Sequence, residues 1–238
     1  MLGDSRIEDL MNWLFLDCFN TLIDEPDGLT DESGMAPIAH LPVAAGLYES
    51  EAAFVDAYLC WRRDAWHDSE YVEIQLCERL RSLFAAQHDE LVRAMVKCFE
   101  SDYPKTLIAA PGAVDALKQL RKRYRLAVVS NFLVADLPSE LLDSLGYADC
   151  FEFVINSAEL GYKKPHPGIY AHALAQAGAD ATDVVFIGDN LRNDVLVPSA
   201  LGMHALWLNR RAEDVPSGVV SCLNWDVLLE RLLGLRRV

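Results

Sequence analysis

No apolar run in this 238-residue chain approaches the 18 residues that a membrane-spanning helix needs. The opening stretch, MLGDSRIEDL, is acidic and lacks the basic-then-apolar order of a signal peptide. Paired cysteines are missing too. Cys18, Cys60, Cys77, Cys98, Cys150 and Cys222 are scattered, and no two have CxxC or zinc-knuckle spacing. Scattered thiols suit a reducing compartment, so a soluble cytoplasmic protein is expected. Positive charge is scarce: 21 Lys and Arg stand against 36 Asp and Glu, a net charge of −15. That balance argues against nucleic acid or an anionic membrane as partner. It leaves room for a phosphorylated small molecule, because a metal ion or a lysine reverses the field inside a cleft.

What is present is a core. Hydrophobic residues make up 52% of the chain, enough to pack one large domain or one domain with an insertion. In the second half, apolar runs of strand length (125–130, 151–156, 183–189 and 204–209) alternate with stretches of helical length (111–123, 136–146, 167–178 and 191–202). Strand, helix, strand at this spacing predicts right-handed crossovers and a doubly wound parallel sheet, an α/β fold. Continuous rather than alternating apolar strands suit a sheet covered on both faces. The run NWLFLD (12–17) belongs to the same sheet.

Residues 49–102 break this rhythm. Leu76, Leu80, Leu83 and Phe84 share one helical face, as do Leu91, Met95, Cys98 and Phe99. Phe54, Val55, Tyr58 and Leu59 suggest a helix before them. Residues 24–48 read as a loop-rich lead-in. Residues 103–112 read as a return linker, with Pro111 opening the next helix. The division expected is an α/β core over 1–23 and 104–238, with an inserted helical domain over 24–103.

Ligands of doubly wound sheets sit beyond the carboxyl ends of the strands. The residues there are Asp17 and Thr21 after the first strand, Ser130 and Asn131 after RLAVV, and Asp189 and Asp194 after DVVFIG. A loop carrying GYKKPHPG adds Lys163 and Lys164. Crowded carboxylates repel and need a proton or a cation to coexist. Few, hard oxygen ligands suit Mg²⁺, which also takes a substrate phosphate oxygen. A lysine supplies a point charge for an anion, and a carboxylate facing that anion can act as a nucleophile. The sum is phosphoryl transfer through an aspartyl phosphate.

The ordered set DCFNTL, VVSN, KKPHP and GDNLRND resembles the four motifs of the haloacid dehalogenase (HAD) superfamily. The resemblance spans residues 12–209, and the helical insertion resembles that family's cap domain. It implies Asp17 as the nucleophile, Thr21 as the brace of the first-motif loop, and Ser130 with Asn131 beside it as binders of the transferring phosphoryl group. Lys164, before Pro165, matches the lysine that neutralises nucleophile and phosphate. Asp17, Asp189, Asp194 and the backbone carbonyl of Phe19 match the Mg²⁺ ligands. Asn20 stands where many members have Gly, and Asn tolerates positive φ.

One position departs. Most phosphatases of the family carry a second aspartate two residues after the nucleophile, and Phe19 cannot move protons. Three readings follow: a Mg²⁺-dependent phosphohydrolase that is slow or borrows an acid from the cap or from Asp24; a metal-free 2-haloacid dehalogenase, whose motif has an aromatic residue at this position; and a fold-retaining protein that binds a phosphorylated ligand or a partner without turnover. Against the second, no Lys or Arg lies between Arg6 and Arg62 to hold a substrate carboxylate, although Arg62 and Arg63 could substitute. The paired acids of GDNLRND place phosphoryl chemistry first. The expected partner is therefore a small phosphorylated, or else halogenated, molecule. His40, His67, His166, Trp61 and Trp66 read as surface or packing residues, and RKRYR (121–125) as a basic helix end.

Overall fold

A computed structural model describes residues 12–26, 34–68 and 71–234 of the chain. The acidic opening stretch, Arg6, and the side chains of Trp66 and His67 lie outside the described residues.

The chain forms an α/β fold around a six-stranded parallel sheet. Its strands are β1 (Trp13–Leu16), β4 (Arg125–Ser130), β5 (Phe153–Asn156), β6 (Val184–Gly188), β7 (His204–Leu208) and β8 (Ser221–Cys222), in the order β5-β4-β1-β6-β7-β8. Two further short strands, β2 (Ile23–Asp24) and β3 (Ile108–Ala109), pair antiparallel outside it. β1 is central because all four of its residues, WLFL, are buried, as a strand covered on both faces requires. Its side chains alternate. Leu14 and Leu16 enter one hydrophobic cluster, with Val128 and Ile187 from its neighbours, while Trp13 and Phe15 enter the other, with Val129 and Phe186. Each such side chain contributes about 1.5–3 kcal/mol on burial. From β1 the chain order runs to β4 on one side and β6 on the other, so the topological switch point lies at the end of β1, where Asp17 follows.

Among the described residues between β2 and β3 lie four α-helices: α1 (His40–Ala44), α2 (Glu51–Asp68), α3 (Leu76–Leu83) and α4 (Asp89–Asp102). Their apolar faces, including Phe54, Tyr58, Leu76, Leu80, Met95 and Phe99, join the same cluster as Leu14 and Leu16. After β3 come α5 (Ala113–Leu120), α6 (Leu137–Leu142), α7 (Ser157–Leu160), α8 (Pro167–Ala177), α9 (Val197–Ala200) and α10 (Trp225–Leu232). α8 covers the second sheet face through Ile169, Tyr170 and Ala173. No described helix is long and apolar enough to cross a membrane, and all six cysteines are free thiols.

Several segments differ from the sequence expectations. The lead-in and the return linker are not wholly loop: each contributes a strand to the β2–β3 pair, and the lead-in also carries α1. Pro111 does not open a helix. Gly112 intervenes with φ of 80°, a conformation glycine adopts without strain, and the helix starts at Ala113. The helix expected over 191–202 is split into a widened turn, Leu191–Leu196, and the short α9. The widened turn buries Asp194, which a regular polar helix surface would have left exposed.

Candidate active site

Asp17 continues β1 by one residue: its N–H donates to the Ile187 carbonyl at 2.9 Å, and the residue is only 8% exposed. The chain then turns sharply. The Cys18 carbonyl accepts from the N–H groups of Leu22 (2.7 Å) and Ile23 (3.0 Å), and Asn20 takes φ of 59°, the positive value expected of it. Thr21 is fully buried in this turn. Its hydroxyl donates to Asp17 Oδ2 at 3.3 Å, and its carbonyl accepts from Trp225 Nε1 at 2.9 Å.

Lys164 reaches the same point from the loop before α8. Its Nζ lies 2.6 Å from Asp17 Oδ1 and 2.8 Å from Asp194 Oδ1, with its side chain 2% exposed. Burial works against its charge, but the two carboxylates hold its pKa above the ordinary lysine range. Asn131 holds this lysine in place: its Nδ2 donates to the Lys164 carbonyl at 2.8 Å, and its Oδ1 accepts from the Lys164 N–H at 2.7 Å. Both amide atoms of Asn131 are thus engaged with the protein backbone. Lys163 turns elsewhere, toward Glu73 and Arg79, and burial lowers its pKa.

The carboxylates of Asp17, Asp189 and Asp194 each place an oxygen within 4.8 Å of the others, the one such trio among the described residues. Burial, then the charges of Asp17 and Asp194, push Asp189 up to about 7. Burial, then the Asp17 charge, push Asp194 up to about 7 against the pull of Lys164. Asp194 Oδ2 accepts from the Asn190 N–H at 3.0 Å, and Trp207 Nε1 donates to the Asp189 carbonyl at 2.8 Å. Ser130 Oγ is buried and makes no hydrogen bond. The Cys18 thiol sits nearby without bonding geometry, its pKa pushed up by burial and by Asp17.

The structure therefore brings Asp17, Thr21, Asn131, Lys164 and Asp194 into one connected network, with Asp189 beside it. Two contributors escape sequence reasoning. Gly188 leaves room for Asp194: a Cβ there would stand 2.3 Å from Asp194 Oδ2. Its signal is the glycine directly before the acidic motif. Tyr170, whose hydroxyl donates to the Asn193 carbonyl at 2.5 Å, braces the Asp194 turn, and nothing in the sequence marks it. His166 caps α8, His40 is exposed, and Trp61 packs near Tyr58 with ring centroids 6.1 Å apart, as their packing and surface readings anticipate.

A nucleophile-like carboxylate, a buried lysine bridging two acids and a third acid at the switch point match one family in particular. The description of a haloacid dehalogenase-like hydrolase fits residues 11–202. The chain belongs to the haloacid dehalogenase-like hydrolase family. As a HAD superfamily hydrolase it has curated relatives with phosphatase names. It is 33% identical over 128 residues to pyrimidine 5'-nucleotidase YjjG of Escherichia coli, covering 52% of this chain and 56% of that protein. It is 39% identical over 105 residues to human haloacid dehalogenase-like hydrolase domain-containing protein 3, covering 43% and 41% respectively. The matched segment spans about half the length of these relatives. Among solved structures, 2-haloacid dehalogenase from Pseudomonas syringae superposes with TM-score 0.73 at 19% identity, covering 94% of this chain and 98% of that one. The HAD phosphatase from Thermococcus onnurineus superposes with TM-score 0.67 at 20% identity, covering 96% and 100%. At these identities both likenesses establish the fold alone.

Proposed function

We propose that the protein hydrolyses small phosphate monoesters through a phosphoryl group carried on Asp17, with Mg²⁺ as cofactor and residues 24–103 acting as a cap over the strand ends. The observation that carries this reading is the Lys164 ammonium lying between Asp17 and Asp194, with Asp189 beside them. A haloacid reaction needs no cation and would use at most one of the Asp189–Asp194 pair, as base for the water that cleaves the Asp17 ester, whereas crowded, partly protonated carboxylates suit a divalent cation.

The donor set fits Mg²⁺: hard carboxylate oxygens close together, a raised pKa on two of them, and a buried Ser130 hydroxyl without a protein partner. Asp17, Asp189 and the Phe19 carbonyl would hold the ion, with Asp194 beside it. When bound, it supplies positive charge to the phosphoryl oxygens. The chain's own groups do the rest. The Thr21 hydroxyl and Lys164 fix the Asp17 carboxylate, so that one oxygen faces the phosphorus atom. The Ser130 hydroxyl donates to a phosphoryl oxygen, and Lys164 offsets charge on phosphate and nucleophile together. Water then hydrolyses the aspartyl phosphate. The phosphatase and nucleotidase names of the relatives support a phosphorylated small molecule as substrate.

Rapid-mixing kinetics with p-nitrophenyl phosphate and Mg²⁺ test the reading. Release of nitrophenolate by the wild type, as a burst or as steady turnover, with none from Asp17→Asn, is the expected result. No release from the wild type sinks it. A second reading, an Asp17 ester formed from a 2-haloacid without metal, is favoured by the aromatic residue at position 19. Halide release in EDTA would establish it.

A further inference from the structure

By the motif resemblance, position 19 is where a carboxylate would pass a proton to a leaving group; here it is Phe19, and its ring is committed. It stacks on Phe132 with centroids 4.5 Å apart at 15°. Tyr103 lies 6.4 Å away, and Phe99 stacks on Tyr103 at 4.6 Å. The position is built into an aromatic pack and carries no exchangeable proton.

The neighbouring carboxylates that could replace it are engaged too. Asp24 is gripped by both guanidinium nitrogens of Arg210, at 2.6 and 2.5 Å. Glu25 accepts a hydrogen bond from the Tyr103 hydroxyl. Glu73 pairs with Arg79 at 2.7 Å and accepts from Ser157 Oγ at 2.8 Å. Asp189 and Asp194 belong to the carboxylate trio assigned above to the cation. The site holds a nucleophile, a lysine and a buried hydroxyl, and among the described residues these neighbouring acids are all otherwise engaged.

We propose that this site takes phosphate esters whose leaving oxygen departs as a stable anion, aryl and acyl phosphates, and discriminates against alkyl phosphates. The proposal rests on the phosphoryl reading above. In the first step an Asp17 oxygen lone pair forms a bond to phosphorus as the bond from phosphorus to the leaving oxygen breaks. That bond's electron pair stays on the leaving oxygen, which departs as phenolate or carboxylate and gains a proton only from bulk water. In the second step a water oxygen bonds to phosphorus, the bond from phosphorus to Asp17 breaks, the aspartate is restored as carboxylate, and the water proton passes to solvent. A phenolic oxygen has a pKa of about 10, whereas an alkyl oxygen, like that of water, holds its proton far more tightly. Only the second needs an acid in order to leave.

The test is the pre-steady-state rate of the first step across p-nitrophenyl, phenyl and ethyl phosphate with Mg²⁺ at fixed pH. The expected result is a fall of more than about 10²-fold from the aryl esters to the alkyl ester, because positioned acids are worth roughly 10²–10⁴. Phe19→Asp is expected to raise the ratio of ethyl to p-nitrophenyl phosphate cleavage rates by at least tenfold, and Phe19→Leu is expected to keep the steep dependence. Rates for ethyl and phenyl phosphate within about tenfold of each other in the wild type overturn this proposal and leave the phosphoryl reading standing. If p-nitrophenyl phosphate itself gives no release, both fall. The wild-type series decides even if the Asp variant does not fold.

Discussion

Lys164 is the residue on which the candidate site balances. Its ammonium separates Asp17 and Asp194, both buried, at 2.6 and 2.8 Å. Replacing it by Met leaves two carboxylates facing each other without a cation. Removing one partner of a buried pair costs about 3–5 kcal/mol. The expected outcome is loss of turnover together with a lower unfolding temperature, read by calorimetry in Mg²⁺-free buffer. Gly188 is a steric counterpart. Because a Cβ at 188 would overlap Asp194 Oδ2, Gly188→Ala must push Asp194 away from Lys164. A displacement of this size near reacting atoms costs about 10²-fold in rate. The variant should keep its far-UV circular dichroism while losing activity; unchanged activity would mean that Asp194 has room to shift harmlessly.

At the scale of elements, one polar network ties the helical segment to the strand ends. Arg79 of α3 donates to Glu73 Oε1 (2.7 Å), the Tyr58 hydroxyl of α2 (2.8 Å) and the Ile74 carbonyl (2.6 Å). Glu73 in turn accepts from Ser157 of α7, whose hydroxyl also accepts from the Phe132 N–H at 3.0 Å. Phe132 stacks on Phe19, so the network reaches the residue two places after Asp17. Arg79→Met removes the guanidinium bonded to Glu73 in a buried seam, leaving Lys163 as the neighbouring cation, and should lower stability by up to about 3–5 kcal/mol. A triple variant, Glu73→Leu and Arg79→Met with Lys163→Met, should recover most of that loss, because apolar replacement of all three charges leaves none of them unpaired. Urea titrations of the three proteins give the comparison.

For the whole molecule, the consequence is a dependence of stability on pH and cation. Asp189 and Asp194 rise from an ordinary 3.8 to about 7. Between those values the folded chain keeps protons that the unfolded chain has released, so without metal stability falls as pH rises through about 7. A divalent cation should offset this loss at high pH and help little at pH 5, where protons compete for the same oxygens. At a hundredfold excess over its dissociation constant it should add about 2.7 kcal/mol. Thermal unfolding at pH 5 and pH 8, with EDTA or with Mg²⁺, reads both effects. A Mg²⁺ stabilisation equal at the two pH values would contradict the assignment of these acids to one cation site.

Much of this was legible in the chain itself. A short apolar run ending in Asp17, the lysine before Pro165 and the acid after VVFIG are each contiguous strings, and strand-end chemistry in a doubly wound sheet depends on such local strings. The fold class followed from alternation of strand-length and helix-length runs, and the turn after Asp17 from the tolerance of Asn20 for positive φ. Other features depend on pairs far apart in sequence. The β2–β3 pair joins Ile23 to Ala109, and two-residue strands carry no periodic signal. That Asn131 serves the backbone of Lys164, that Gly188 makes room for Asp194, and that Asp24, Glu25 and Glu73 are already engaged are matters of side-chain direction and distance. Composition and spacing determine which groups the strand ends offer; only packing in three dimensions decides which of them still have a free oxygen or proton for a substrate.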